Sequence, residues 1–325
     1  MNVATTAAVV TRASLAPSAH NAQPWNVNAI PGGLNVRLDQ QRALKAGEPS
    51  GRQNTVSVGI FLEHLVAAAA AIGWRSRLEY ECVVPQDDAS TRLTFEADPQ
   101  SIDGPEASLA AGIERRRTDR AAHHPTLQDA KAQQLLGIPA PAGTYITSVS
   151  DPTSKVRVGE LVQAAMRLAL QLPAMRRELA ELVAWNENGP ITRGMYLESM
   201  VTSASLLRAA GLTAGAWLIE QLDATSEAEQ MGANYTQSPL LLVVSTDHDG
   251  PHAWLDAGRA AARIMLTGAN LGLVHCVAAG PVEVPSIVPQ LRALLATKTR
   301  PQLLMRLGEP IRGEGSCRAG RVVLM

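Results

Sequence analysis

Two apolar stretches of the chain carry the same pattern of small and large residues. Ser57 to Trp74 aligns without a gap on Asp256 to Leu273, placing Gly59 on Gly258, Ala70 on Ala269 and Gly73 on Gly272. Each stretch predicts a helix whose small residues allow close approach to a neighbour and whose last glycine suits a left-handed cap. Each is followed by a β-like run, RLEYECVV or VHCVAAG. Two copies of one unit account for the echo; chance recurrence of a common helix–glycine–strand unit is the alternative.

The remaining pattern adds strands and shorter helices. WNVNAI and LNVRLD alternate around Pro-Gly-Gly, which predicts a β-hairpin. TLQDAKAQQLLG predicts a short amphipathic helix stopped by Gly137, and SKVRVGELVQAAMRLALQL a longer one broken at Pro173. SPLLLVVST and RPQLLMRLG predict apolar, buried strands. Helices and strands without strict βαβ alternation predict an α+β fold.

Composition narrows the function classes. At 325 residues, 46% apolar and 18% charged, the chain can bury one large core or two fused ones. A formal net charge of -1 gives no general attraction for nucleic acid or an anionic membrane. Neither is expected as a partner, and any phosphate site must be local. Cys82, Cys276 and Cys317 lie far apart with no metal-ligand spacing, so no metal is expected and a reducing compartment fits. The run LVAAAAAIGW is shorter than the roughly 20 residues needed to span a bilayer, and the N-terminus has no signal-like core. A cytoplasmic location is the expectation.

Two short segments carry chemistry. ASLAPSAHNAQPW (Ala13 to Trp25) sets Pro-Ser, Asn and Gln-Pro-Trp between a helix and a strand, and reads as a loop built to touch something. IERRRTDR (Ile113 to Arg120) offers fork-shaped donors and a hydroxyl, as a phosphate monoester requires. On residue types alone, a solvated basic patch at a helix end is the plainer reading of the arginines. His123 and His124 beside Pro125 predict a surface loop, His20 a scaffold or solvent role, and His275 with Cys276 simple packing. There is no GxGxxG to support a dinucleotide fold.

Together PSAHNAQPW, RRTDR and RLGEP (Arg306 to Pro310) resemble the FMN-dependent nitroreductase family. That family places an arginine signature first and the Pro-Ser-x-x-Asn-x-Gln-Pro-Trp loop second; here the order is reversed. It works as a homodimer, with FMN held by the arginines of one subunit and the loop of the other. The reversal therefore suits two fused halves, residues 1–112 and 113–325, forming a pseudo-symmetric intramolecular dimer, similar to the double-length Acg-type members.

The resemblance implies a nitroreductase-like fold, one FMN per chain and a monomer. It implies flavin phosphate and ribityl contacts from Arg116 and Thr118, and Arg120 near the pyrimidine edge. It implies a second wall from Pro17, Ser18, Ala19 and Asn21, backbone N–H groups near flavin N5 at Ala278, Ala279 and Gly280, and a further phosphate contact from Arg318, with Arg321 next. No side chain need act as acid or base. NAD(P)H is the implied reductant and a small nitroaromatic or quinone-type molecule the acceptor; non-catalytic storage of FMN is the alternative. Trp185 to Gly211, with Met195, Tyr196, Leu197 and Met200, falls where family members cover the substrate site, and reads as a lid or as an interface helix.

Overall fold

Arg52–Ala70 (α2) and Pro251–Asn270, here α8, are the two helices of the echo, and they meet at its aligned glycines. A Cβ on Gly59 would stand 2.2 Å from the Leu255 carbonyl oxygen, and one on Gly258 would stand 2.1 Å from that of Val56. No side chain fits there, so the backbones themselves are in contact. Every residue of α2 except Gln53 is buried. Gly73 and Gly272, beyond the two helix ends, take left-handed φ of +82° and +77°, as their positions predict.

The computed structural model describes residues 1–46, 49–81, 90–184, 193–196 and 223–311. The strand after each echo helix enters a different antiparallel sheet. Trp25–Ile30 (β1), Gly33–Leu38 (β2), Trp74–Glu81 (β3) and Ser90–Ala97 (β4) form one sheet in the order β1-β2-β4-β3. Thr144–Val149 (β5), Leu240–Thr246 (β8), Val274–Ala278 (β9) and Arg300–Gly308 (β10) form the other, in the order β5-β8-β10-β9. The mixed helix and sheet composition is the α+β class that the pattern predicts. β8 is buried along its whole length.

Val3–Ala13 (α1) leads into the loop before β1, and Pro105–Arg115 (α3) leads into the arginine run. α3 lies against α8 at Gly112, whose Cβ would fall 2.4 Å from the Leu266 carbonyl oxygen. A division of the chain after residue 112 thus falls inside a continuous helix. Asp129–Leu136 (α4), Pro152–Gln171 (α5) and Pro173–Glu181 (α6) follow, with the expected break at Pro173. Two-residue strands, Val183–Ala184 (β6) and Met195–Tyr196 (β7), pair with each other, and Ala224–Thr236 (α7) precedes β8. No helix among the described residues is long and apolar enough to cross a membrane.

Charge also joins α2 to α8. Glu63, fully buried on α2, accepts from Arg259 at 2.8 Å and Arg263 at 2.6 Å. Beside this triad the Tyr80 hydroxyl donates to Asp256 at 2.5 Å. Removing one partner of such a buried pair typically costs about 3–5 kcal/mol.

The glycine contact makes a direct prediction. Gly59→Ala forces the helices apart and is expected to lower stability by about 2–3 kcal/mol, seen in urea unfolding as a lower midpoint at unchanged slope. Gly137→Ala, whose added Cβ meets nothing closer than the Gln133 carbonyl oxygen at 3.4 Å, serves as the mild control. Equal midpoints for the two variants would mean that α2 and α8 do not touch at these glycines.

Candidate functional site

The loop between α1 and β1 holds an uncommon backbone. His20, Asn21 and Gln23 all take left-handed φ, at 47°, 53° and 52°. Such conformations cost on the order of 1–3 kcal/mol for non-glycine residues, least for Asn, and persist where surroundings impose them. Here the Gln23 N–H donates to Ser18 Oγ at 2.9 Å, and the Ala19 N–H to Ser57 Oγ on α2 at 3.2 Å. Arg42 Nε donates to the carbonyls of Ala22 and Gln23, and Trp25 stacks on Phe61 with ring centroids 4.6 Å apart. Gln23 to Trp25 therefore anchor the loop, and Pro17 to Asn21 ahead of them are half-buried to buried.

That run begins where α3 ends. Arg116, only 4% exposed, donates from Nη2 to the Leu15 carbonyl at 3.2 Å and from Nη1 to Thr118 Oγ1 at 3.3 Å. Two motifs 101 residues apart in sequence are thereby brought together. Thr118 pairs in a parallel bridge with His275, the Asp119 N–H donates to the His275 carbonyl at 2.9 Å, and the His275 N–H to that of Arg117 at 3.3 Å. The segment thus lies alongside β9, with Thr118 Oγ1 3.3 Å from His275 Nε2. It is not a solvated patch.

Arg120 reaches a residue of the expected lid, its Nη2 lying 3.2 Å from Met195 Sδ. Met195 is buried on this contact. The Asn21 side chain donates to the Gly194 carbonyl at 2.8 Å while the Gly194 N–H donates to the Asn21 carbonyl at 3.2 Å. Asn21 Nδ2 is therefore committed to the protein, and its Oδ1 has no partner among the described residues. These bonds tie the loop at Leu15 to Arg116 and Thr118, and at Asn21 to Gly194, next to the Met195 that Arg120 meets. Ala278 ends β9, and Ala279 and Gly280 open the short helix Gly280–Glu283. Gly280 is set by packing, since a Cβ there would lie 2.8 Å from Ala165 Cβ on α5. Tyr196 pairs its backbone with Ala184. Leu197, Met200, Arg318 and Arg321 lie outside the described residues.

Three histidines around these contacts are neutral. His20 is pushed down to about 4, by burial first and then by the charge of Arg120. Burial followed by Arg116 holds His275 well below the ordinary imidazole range. His123, expected in a surface loop, is instead buried, bridged by its backbone to Pro310 and packed at the spot where Gly308 lacks a Cβ. It too falls to about 4, through burial and the nearby Arg306. The sequence offered no sign of this, because the burial comes from β10 lying across the His123 segment.

Arg306, Asn234 and Tyr235 also escaped the sequence reading. Arg306 on β10 is 1% exposed and donates from Nη2 to the carbonyls of Asp119 and Ala121, at 3.2 and 2.7 Å. Asn234 on α7 donates to the Arg120 carbonyl at 3.0 Å. Tyr235 places its ring under the Arg306 guanidinium and donates its hydroxyl to the Cys276 carbonyl at 2.9 Å. Guanidinium forks, a hydroxyl and main-chain N–H groups in a dry setting with neutral imidazoles form a donor set that suits a phosphate and a neighbouring negative charge.

No family model matches the chain. A Mycobacterium tuberculosis H37Rv protein named "Putative NAD(P)H nitroreductase" is 29% identical over 303 residues, covering 92% of this chain and 83% of the relative. The protein acg of the same organism, which carries the same designation, is 24% identical over 295 residues, covering 90% and 85%. "Probable NAD(P)H nitroreductase PigM" of a Serratia strain is 26% identical over 268 residues, covering 76% and 72%. An FMN-dependent nitroreductase, NfnB of Mycobacterium smegmatis, solved with NADPH, overlaps 62% of this chain and 89% of its own at a TM-score of 0.39 and 16% identity, too low a score for the fold to rest on it. Over about nine-tenths of its length, at 24–29% identity, the chain is a homologue of proteins that bear the name NAD(P)H nitroreductase, acg among them.

Proposed function

We propose that this chain binds one FMN between two fused nitroreductase-like halves and acts as an NAD(P)H-dependent oxidoreductase on a small nitroaromatic or quinone-type acceptor, with restricted access to the flavin. The observation that carries the reading is the contact from Arg116 to the Leu15 carbonyl, which brings the arginine run and the Pro17–Asn21 loop together within one chain. The family reaches the same juxtaposition with two subunits; a monomer of two fused halves, residues 1–112 and 113–325, is the form that goes with this reading. Relatives named as NAD(P)H nitroreductases over most of the chain support the same reading.

When bound, FMN would accept a hydride from a nicotinamide and pass electrons on to the acceptor. The chain supplies the setting. Arg116 and Thr118 would hold the phosphate end, and Arg120 would steady negative charge at the pyrimidine edge. Ala19 and its neighbours on the loop would form the opposite wall, and backbone N–H groups at Ala278 to Gly280 would face the reacting edge. His20, His123 and His275, all neutral, take no part as proton donors near pH 7.

A second reading, FMN storage, is favoured by one observation: Met195 is buried against Arg120, so the described foot of the expected lid already occupies the arginine side of the site.

Denaturing the purified protein should release FMN and not FAD, at one per chain by absorbance; absence of flavin would remove the reading. Arg116→Ala, losing charge-assisted bonds of about 2–3 kcal/mol, should weaken FMN binding roughly 30- to 150-fold by fluorescence titration. Unchanged affinity would return the arginine run to a structural role.

Access is measured separately by stopped-flow. Reduction of bound FMN by NADH or NADPH should be slower than about 1 per second while dithionite bleaches it at once, and Met195→Gly should speed the nucleotide step. Turnover of the unaltered protein within the ordinary enzyme range of about 1–10³ per second would refute storage and leave an open nitroreductase.

A further inference from the structure

Among the described residues Arg52, Arg116 and Arg306 are buried, and Arg116 donates to the Leu15 carbonyl and to Thr118. Arg52 meets Glu283 at 2.9 Å, and Arg259 and Arg263 share Glu63. Arg306 is as deeply buried, yet among the described residues no carboxylate pairs with it, and its Nε and Nη1 have no hydrogen-bond partner there. An unmatched buried cation is costly, so its retention calls for a task.

Its bonds define that task. The carbonyls of residues i and i+2 in an extended segment point to the same side, and that of i+1 to the other. Arg306 Nη2 takes the carbonyls of Asp119 and Ala121, while Asn234 Nδ2 from α7 takes that of Arg120 between them. Backbone pairing with β9 ends at Asp119. Beyond that point, side chains of β10 and α7 hold the main chain by three successive carbonyls. Thr118 and Arg120 flank Asp119, the first of the three residues so held. We infer that Arg306 is a positioning residue of the flavin site: by capturing the carbonyls on either side of Arg120, it fixes the direction in which Thr118 and Arg120 meet the cofactor. This rests on the FMN reading above. The neutral state of His123 beside it is consistent with a cation kept in place without a counter-charge.

The test is FMN titration of the full-length apoprotein, followed by flavin fluorescence, with unfolding midpoints of the same apoproteins measured alongside. Arg306→Met should weaken FMN about tenfold or more. Arg306→Lys, which keeps a donor to the carbonyls, should recover to within about threefold of the unaltered protein. In an Arg120→Ala, Thr118→Val background, Arg306→Met should lose most of its effect, because it acts through those side chains. Full additivity in that background, or equal affinity of Arg306→Met and the unaltered protein, would overturn the inference. So would a Lys variant no better than Met. If Arg306→Met does not fold, Asn234→Ala takes its place, with about threefold weaker binding expected and unchanged affinity counting against the proposal. Failure of the unaltered protein itself to bind FMN would instead sink the underlying reading, and is seen in the first titration.

Discussion

The contact of backbone on backbone where α2 crosses α8 is the constraint on which the rest depends. Gly59 and Gly258 let the helix axes approach until carbonyl oxygens stand where side chains would be. Two residues before Gly59, Ser57 holds the loop at Ala19. At the far end of α8, the chain turns at Gly272 into β9, whose His275 pairs with Thr118. The crossing therefore sets the separation of loop and arginine run. A wider crossing would pull the loop away from Arg116, whose bond to the Leu15 carbonyl is already long at 3.2 Å.

Electrostatics divides the molecule into two regimes. Where the helices meet, Arg259 and Arg263 of α8 share the buried Glu63 of α2, with Asp256 beside Arg259. Where the loop meets the arginine run, Arg306 stands unmatched among the described residues and the imidazoles are held neutral by burial and by neighbouring guanidiniums. Low local dielectric makes such a region attractive to an anion and hostile to further cations. The reading of this place as a flavin site accords with that imbalance.

Much of the fold could be read from local pattern. The echo helices, their terminal glycines, the hairpin at Pro31 and Gly32, the break at Pro173 and the buried strands β8 and β10 each carry their own signal in neighbouring residues. β4 and β5 carry little: STRLTFEA and TYITSV are short and half polar, and exist as strands through pairing with distant partners, β2 and β3 for one and β8 for the other. Of the site, the loop and the arginine run were legible by residue type and spacing. His123 was misread because its burial depends on β10.

The sequence by itself determined the elements and the chemical types on offer, since helix period, glycine caps and arginine forks are local properties. It could not determine whether RRTDR faces solvent or a site, because that depends on β9 running beside it. Nor could it mark Arg306 or Asn234 as holders of the main chain at residues 119–121. Their targets are main-chain oxygens, which every residue carries alike, so only the tertiary structure decides which three carbonyls they reach.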